Sequence, residues 1–175
     1  MRTVVMGEQP PELAAWIARR RALGQDLLDE VWDGEYHMAP APNLWHSVVD
    51  GELAAVLRRL AVPLGLRSGG PFNLGELGNF RVPDRGLHRS LDLNAVWVPT
   101  AAMVVEIVSP DDESWLKFDH YAAHDVDEVL IDDPQTRTLA LFVLAGGSYE
   151  PAEVSGLLGV TVAALHDAID WPGSG

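Results

Sequence analysis

Apolar residues recur at helical spacing in two stretches of the first third of the chain. Pro10 and Pro11 open the first stretch, which ends in three consecutive arginines, a pattern typical of the two ends of a helix. Asn43 is a favourable N-cap for the second and longer stretch, and Pro63 ends it. The apolar face predicted for this second helix consists of Leu44, Val48, Leu53, Val56, Leu57 and Leu60.

Runs of apolar and β-branched residues predict strands in the rest of the chain. The first two, at 27–32 and 36–38, flank Asp33-Gly34, a dipeptide that favours a tight hairpin because both residues accept positive φ. Residues 103–108 are almost wholly apolar, as in a central buried strand. Further strands are predicted at 95–98, 126–131 and 138–144, with a turn at 132–134 between the last two.

Two more helices complete the prediction. Ser109 as N-cap and Pro110 as first helical residue begin a helix that runs through His124, and the last helix spans 161–169. Helices and strands alternate without internal repeats. We therefore expect an α/β or mixed α+β fold, in which helices flank one mixed central sheet.

The composition suits a single globular domain over residues 1–175. The chain has 175 residues, of which 47% are hydrophobic, enough to bury a sizeable core. It contains no cysteine, which excludes disulfides, thiolate zinc sites and cysteine nucleophiles. The sequence begins without the apolar segment of a signal peptide, and its longest apolar run, 139–145, is far shorter than the roughly 20 residues of a membrane helix. We expect a cytoplasmic protein without membrane contact.

Charge is distributed unevenly along the chain. Residues 1–89 carry 10 basic and 11 acidic residues, whereas residues 90–175 carry 2 basic and 15 acidic ones. A partner that carries phosphates would be repelled by the second half, so its contacts are expected on arginines of the first half. The candidate arginines are Arg19, Arg20, Arg21, Arg58, Arg59, Arg81, Arg85 and Arg89, and the alternative is that they only solvate the surface.

Two charged residues stand out from their surroundings. Glu106 interrupts the apolar run 103–108, where a carboxylate must be paired, hydrogen-bonded or bound to a metal. Lys117 is the only lysine among 12 basic residues, and an ammonium can act as a compact point charge where a guanidinium cannot. The alternatives are a structural ion pair for Glu106 and an i,i+4 pair with Glu113 on a solvated face for Lys117.

Asp84 is a third candidate, although Pro83-Asp84-Arg85-Gly86 is also typical of a type I turn. It precedes Glu106 by a stretch long enough for one strand, a connection and the neighbouring strand. Two acids on adjacent strands, with a lysine over them, would suit a hard divalent cation that activates a water molecule for attack on a phosphate. Asp92, in Leu-Asp-Leu, is the alternative partner of Glu106.

These residues resemble a bacterial family of putative restriction endonucleases (Uma-type, formerly a domain of unknown function) within the PD-(D/E)XK nuclease superfamily. The resemblance rests on Val82-Pro83-Asp84, on Val105-Glu106-Ile107-Val108-Ser109-Pro110, and on Lys117 with Tyr121. Flanking segments are also similar, from Glu30-Val31-Trp32-Asp33-Gly34-Glu35 through His46, and from Tyr121 to Asp133-Pro134. The similarity covers roughly residues 26–150.

The resemblance implies a restriction-endonuclease-like core and a site for Mg²⁺, or for Mn²⁺ in its place. Asp84 and Glu106 would be metal ligands together with the backbone carbonyl of Ile107. The superfamily lysine usually stands two residues after the acid, where this chain has Val108, so Lys117 from the following helix would replace it. An N-terminal acid would complete the catalytic set, with Glu35 as first choice and Glu30 as second.

The function expected on this basis is Mg²⁺-dependent hydrolysis of DNA phosphodiester bonds by a metal-activated water. A catalytically inactive nuclease-like module that binds a protein or nucleic acid is the alternative, because residues 90–175 are strongly acidic. A metal hydrolase of small phosphorylated molecules is a third hypothesis, since its substrate need not lie along the acidic surface. We also expect a homodimer, the commonest symmetric assembly.

Overall fold

The computed structural model of the protein describes residues 3–5, 10–39, 41–109 and 113–173. Its helices are α1 (Pro11–Ala22), α2 (Leu44–Ala61), α3 (Phe118–Ala123) and α4 (Val162–Asp167), with 3₁₀ turns at Val62–Leu64 and Ser114–Lys117. Its strands are β1 (Thr3–Val5), β2 (Glu30–Trp32), β3 (Glu35–Met38), β4 (Arg67–Gly69), β5 (Asn73–Glu76), β6 (Asn79–Arg81), β7 (Arg85–His88), β8 (Trp97–Val98), β9 (Met103–Ile107), β10 (Glu128–Asp133), β11 (Thr138–Ala145), β12 (Ser148–Ala152), β13 (Val154–Ser155) and β14 (Val160–Thr161). The fold is α+β with helices beside mixed sheets, as predicted.

The described strands form two six-stranded sheets and a small two-stranded one, so the prediction of one mixed sheet was wrong. The first sheet has the order β1-β3-β2-β6-β5-β8, and the second has the order β12-β11-β10-β9-β7-β4. Within the second sheet, β9 pairs in parallel with β10 and antiparallel with β7. The hairpin of β2 and β3 joins β6 instead, through the pair Val31–Phe80. Such long-range pairing leaves no local sequence pattern from which it could be predicted.

Helix α2 covers one face of the second sheet and forms the largest core there. Its buried face contains Val49, Leu53, Val56, Leu57 and Ala61, packed against β9, β10 and β11. Leu44 and Val48, which the sequence pattern placed on this face, are instead 79% and 42% exposed. Successive buried residues of α2 are four, three, one and four positions apart, which follows the helical period. Leu44 and Val48 do not fit this spacing. Within the described ranges, no helix is long and apolar enough to cross a membrane.

The opposite face of the second sheet packs against α3 and β5. Its apolar core includes Val104 of β9, Val129 and Ile131 of β10, Tyr121 of α3 and Leu74 of β5. The helix predicted from Ser109 begins later than expected, as the turn Ser114–Lys117 continued by α3. Its predicted first residue, Pro110, lies outside the described residues. This turn carries Lys117 to the end of β9, where the candidate site is built.

The predicted hairpin at Asp33-Gly34 is present. Asp33 has φ 49° and Gly34 has φ 89°, the left-handed conformation that a two-residue hairpin loop requires at both positions. The side chain of Asn79 accepts a hydrogen bond from the Asp33 amide at 3.2 Å and so ties the loop to β6. Strand β2 is thereby held with Glu30 near the second sheet.

Candidate active site

The carboxylate of Glu106 is buried inside the protein and not at a solvated strand end. All five residues of β9 are buried, and Glu106 is only 3% exposed. It lies opposite Ile131 of the parallel strand β10. Strand alternation therefore places its side chain on the face that packs against α3. A carboxylate in this position needs polar partners, and the following helix supplies them.

Lys117 is the main partner of Glu106. Its ammonium Nζ lies 2.9 Å from Oε1 and 2.9 Å from Oε2 of Glu106. Lys117 is itself 4% exposed, so this ion pair is shielded from water. The alternative of an ion pair on a solvated face is not what the structure shows, because Lys117 is buried. The sequence pattern thus identified both members of the buried pair.

Glu30 of β2 provides a third charged group. Its Oε1 lies 2.9 Å from Lys117 Nζ and accepts a hydrogen bond from the Val82 amide at 2.8 Å. Its Oε2 accepts a hydrogen bond from the indole N–H of Trp32 at 2.6 Å. Glu30 is fully buried. The first sheet therefore contributes a carboxylate to the end of a strand in the second sheet.

Glu35, the first choice for this N-terminal acid, lies elsewhere on the same hairpin. It pairs with Trp32, next to the loop, whereas Glu30 pairs with His37 farther along the strand. Directly paired residues of an antiparallel ladder share a face, so Glu35 lies on the face of Trp32. Glu30 lies on that face too, because it is two residues from Trp32 in the same strand, and both glutamates therefore point to the same side of the hairpin. The structure brings Glu30, the second choice, to Lys117.

Two neutral side chains fix the orientation of the Glu106 carboxylate. The hydroxyl of Tyr121, a fully buried residue of α3, donates a short hydrogen bond to Oε1. The hydroxyl of Ser114 donates to Oε2 at 3.3 Å. Buried hydroxyls that donate to a carboxylate favour its ionised form. The turn and helix after β9 therefore supply Ser114, Lys117 and Tyr121 to one carboxylate.

Burial and neighbouring charge have opposing effects on Glu106. Burial, together with the charges of Asp84 and Glu30, raises the pKa of Glu106 to about 7 against the opposing effect of the Lys117 ammonium. Burial and the Glu106 charge raise the pKa of the Tyr121 hydroxyl well above its ordinary value, so this group stays a proton donor. When all are ionised, three carboxylates (Glu30, Asp84 and Glu106) face one ammonium. The site then attracts a further cation.

Asp84 lies just before β7 and reaches the end of β9. Its Oδ2 accepts a hydrogen bond at 2.7 Å from the backbone N–H of Ile107, the residue that follows Glu106. Its Oδ1 lies 3.2 Å from Nε2 of His46, in the first turn of α2. The alternative acid, Asp92, is exposed and accepts a hydrogen bond from the Asn94 amide in a turn. The structure therefore brings Asp84, and not Asp92, next to Glu106.

Asp132 is a polar residue of this region that sequence reasoning missed. It pairs with Ile107, is fully buried, and neither of its carboxylate oxygens has a hydrogen-bond partner among the described residues. Burial raises the pKa of Asp132 to about 7. The predicted strand ended at Ile131, and this boundary placed Asp132 in a turn. Asp132 directly follows the apolar residues of β10, so extending the predicted strand by one residue would have included it and paired it with β9.

The oxygen-rich donor set fits a hard divalent cation such as Mg²⁺. Among the residues that the structure describes, no three or more His, Asp or Glu side chains form a ready-made metal cluster. Mg²⁺ in proteins is usually held by one or two carboxylates together with water and substrate phosphate oxygens. Asp84, Glu106 and the carbonyl of Ile107 are the groups that suit this role.

Comparisons with known proteins relate the chain to a family of putative nucleases. The model of the Uma2 family, described as "Putative restriction endonuclease", matches residues 12–170. The chain is also similar to the crystal structure of a putative nuclease of the DUF820 family from Anabaena variabilis. That similarity has a TM-score of 0.64 and 17% sequence identity, and it covers 80% of this chain and 90% of the other. At this identity the likeness concerns the fold. None of the curated proteins matches the chain.

Proposed function

The chain belongs to the Uma2 family of putative restriction endonucleases, and we propose that it hydrolyses phosphodiester bonds of DNA with the help of a divalent metal ion, Mg²⁺ or Mn²⁺. The observation that carries the proposal is the meeting of Asp84, Glu106 and Lys117 at the end of β9. Asp84 accepts a hydrogen bond from Ile107, and Lys117 contacts both oxygens of Glu106. Two acids and a lysine in this arrangement suit metal-assisted attack of water on a phosphate.

The proposed roles follow from the chemistry of each side chain. Asp84 and Glu106 would hold the ion, with the carbonyl of Ile107 as a further ligand. When bound, the ion would polarise a phosphate oxygen and lower the pKa of a water molecule. Lys117 carries a compact positive charge beside Glu106 and would stabilise the negative charge that develops on the phosphate. Glu30 would hold Lys117 in place, and Tyr121 would orient the Glu106 carboxylate.

Lys117 would perform a task that the superfamily lysine performs from the strand. Val108 occupies that strand position, two residues after Glu106. Because the turn Ser114–Lys117 folds back over β9, the Lys117 ammonium reaches Glu106 from the helix side. Both arrangements would place one ammonium beside the same carboxylate.

DNA cleavage with matched variants tests this proposal. Supercoiled, linear and single-stranded DNA would be incubated with Mg²⁺ or Mn²⁺ and either the wild type, Asp84→Asn, Lys117→Met or Asp92→Asn. Removal of one group that stabilises transition-state charge commonly lowers the rate by about 10²–10³. We expect this loss for Asp84→Asn and Lys117→Met, and unchanged cleavage for Asp92→Asn.

Two results would contradict the proposal. Cleavage by Asp84→Asn and Lys117→Met at the wild-type rate would show that the site is wrong. The absence of metal-dependent cleavage in a folded wild type would favour a non-catalytic module, and cleavage of mononucleotide phosphates alone would favour a small-molecule hydrolase. The homodimer and the cytoplasmic location stay predictions, and sedimentation would check the first.

A further inference from the structure

A cavity opens beside the candidate active site at the end of β9. Its volume is about 380 Å³, within the range of about 300–1,000 Å³ that small-molecule pockets occupy. Val108 and Ser109, which directly follow the catalytic segment of β9, form part of its wall. His46 forms another part, and its Nε2 lies 3.2 Å from Asp84 Oδ1. The cavity is therefore next to Asp84, one of the carboxylates that would hold the metal, with His46 between them.

The walls of this cavity differ in charge from the rest of the protein. The chain carries 26 acidic residues, yet the described residues that line the cavity include none of them. They do include Arg137, whose guanidinium can donate to more than one acceptor. Residues 90–175 hold only two basic residues, Lys117 and Arg137, and the fold places one at the candidate site and the other at the cavity. An anionic group would thus be repelled over most of this half but accepted here.

The polar groups of the wall suit a nucleobase as well as a phosphate. The indole N–H of Trp45 is buried and has no hydrogen-bond partner among the described residues. Because this nitrogen has almost no accessible surface, the ring of Trp45 rather than its N–H would contact a base, by stacking. Gln135 is exposed at the turn after β10 and adds an amide that can both donate and accept. The partly buried ring of Trp45 also packs against the α2 core, so it is a rigid wall.

The arginines expected to contact phosphate from the first half of the chain are partly engaged elsewhere. Arg81 is buried, lies over the ring of Trp32 and donates to the Val31 carbonyl. Arg85 is paired with Asp50 at 2.6 Å. Arg137, by contrast, lines the cavity itself, although its guanidinium also donates to the Pro172 carbonyl.

We propose that this cavity binds one unpaired nucleotide of the DNA strand, next to the phosphate that is cleaved. The inference rests on the proposed nuclease function and adds the substrate class to it. Arg137 would contact the phosphate of that nucleotide, while Trp45 and Gln135 would contact its base. A cavity of about 380 Å³ is large enough for one nucleotide, and a base enters such a cavity only when it is neither paired nor stacked in a duplex. Single-stranded DNA, or a base displaced from the duplex, would therefore be the preferred substrate.

Binding measured without metal tests the cavity separately from catalysis. Thymidine 5′-monophosphate, inorganic phosphate, a short single-stranded oligonucleotide and its duplex would each be titrated in EDTA against the folded protein. We expect the mononucleotide and the single strand to bind at least about tenfold more tightly than inorganic phosphate and the duplex, respectively. Equal affinities for the mononucleotide and phosphate, or no binding, would overturn the inference.

Variants then locate the binding. Arg137→Ala is expected to weaken binding of the mononucleotide about tenfold, as loss of a charge-assisted hydrogen bond does. Arg137 also donates to the Pro172 carbonyl, so Gln135→Ala serves as a second variant at an exposed position. Arg67→Ala is the matched control, because Arg67 is an exposed arginine of β4 that does not line the cavity. Equal affinities for all four proteins would overturn the assignment to this cavity.

The outcomes separate the two proposals. Asp84-dependent cleavage with no nucleotide binding to the cavity would leave the nuclease proposal standing and overturn this one. Binding that depends on Arg137 and Gln135, in a protein that cleaves no DNA, would support the cavity and contradict the nuclease.

Discussion

The ammonium of Lys117 lies 2.9 Å from each carboxylate oxygen of Glu106, and both residues are buried. Two opposite charges within a protein interior depend on each other, because either one alone would be left without compensation. The pair joins the central strand β9 to the turn that precedes α3. It is therefore a structural element as well as the centre of the proposed catalytic site.

A double-mutant cycle measures the coupling free energy between Lys117 and Glu106. At pH 8, Lys117→Met is expected to lower the free energy of unfolding by about 3 kcal/mol, because the buried Glu106 carboxylate loses its counter-charge. Adding Glu106→Gln to that variant should recover part of the loss, because the buried charge of Glu106 is then removed while that of Glu30 remains. Urea unfolding of the wild type, the two single variants and the double variant supplies the four values. Additive effects would contradict the coupling.

Glu30 and Glu35 differ in their expected importance. Glu30→Gln removes a buried charge that contacts Lys117, so we expect slower DNA cleavage and a loss of stability of about 1–3 kcal/mol. Glu35→Gln, at the hairpin end, is expected to change stability by less than about 0.5 kcal/mol and to leave cleavage unchanged. Cleavage rates and urea unfolding of the two variants show which glutamate contributes to activity and to stability. The reverse ranking would make Glu35 the catalytic acid.

The buried carboxylate of Asp132 is expected to lower the free energy of unfolding. Because its buried carboxylate has no hydrogen-bond partner among the described residues, Asp132→Asn should raise the free energy of unfolding at pH 8 by about 1–2 kcal/mol. Asp133→Asn is the neighbouring control and should change stability less, because an asparagine Oδ1 can accept the same hydrogen bonds from the amides of Gln135 and Thr136. Urea titrations compare the three proteins. A destabilised Asp132→Asn variant would mean that the carboxylate has a stabilising role.

His120 is expected to make stability depend on pH. Burial lowers the pKa of His120 to about 4, and its Nε2–H donates to the Leu74 carbonyl at 2.9 Å. In the unfolded chain this imidazole binds a proton near its ordinary pKa of 6.5, whereas in the folded protein it does so only near 4. Its stabilising contribution is therefore complete above about pH 6.5 and is lost as the pH falls towards 4.

The variant His120→Gln isolates this contribution, because glutamine can donate to the same carbonyl but does not titrate. The stability of the wild type relative to His120→Gln should fall by up to about 3 kcal/mol between pH 7.5 and pH 4. Urea unfolding at several pH values measures the difference. A difference that does not change with pH would show that His120 is protonated equally in both states.

Sequence reasoning identified the residues that differ from their neighbours along the chain. Glu106 is a charge within an apolar strand, and Lys117 is a lysine in a chain that otherwise uses arginine. Both signals can be seen without knowledge of the fold. The resemblance to a nuclease family then related these two residues to Asp84.

The features that sequence reasoning missed depend on register or on distant pairing. Glu30 and Glu35 share one face of a hairpin, so alternation cannot distinguish them, and only the pairing with β6 brings Glu30 to Lys117. Asp132 was assigned to a turn because β10 extends farther than its apolar run. Strands β12, β13 and β14 have exposed, polar positions, which leave little hydrophobic alternation to detect.

Calorimetric titration of Mg²⁺ and Mn²⁺ tests the central claim most directly. The wild type, Asp84→Asn and Asp92→Asn would be titrated with and without a nuclease-resistant DNA oligonucleotide, because Mg²⁺ completes its coordination with phosphate oxygens. We predict that the wild type and Asp92→Asn bind the metal when DNA is present, and that Asp84→Asn binds it at least about tenfold more weakly. Equal binding by Asp84→Asn, or no binding by the wild type under either condition, would contradict a metal site at the end of β9.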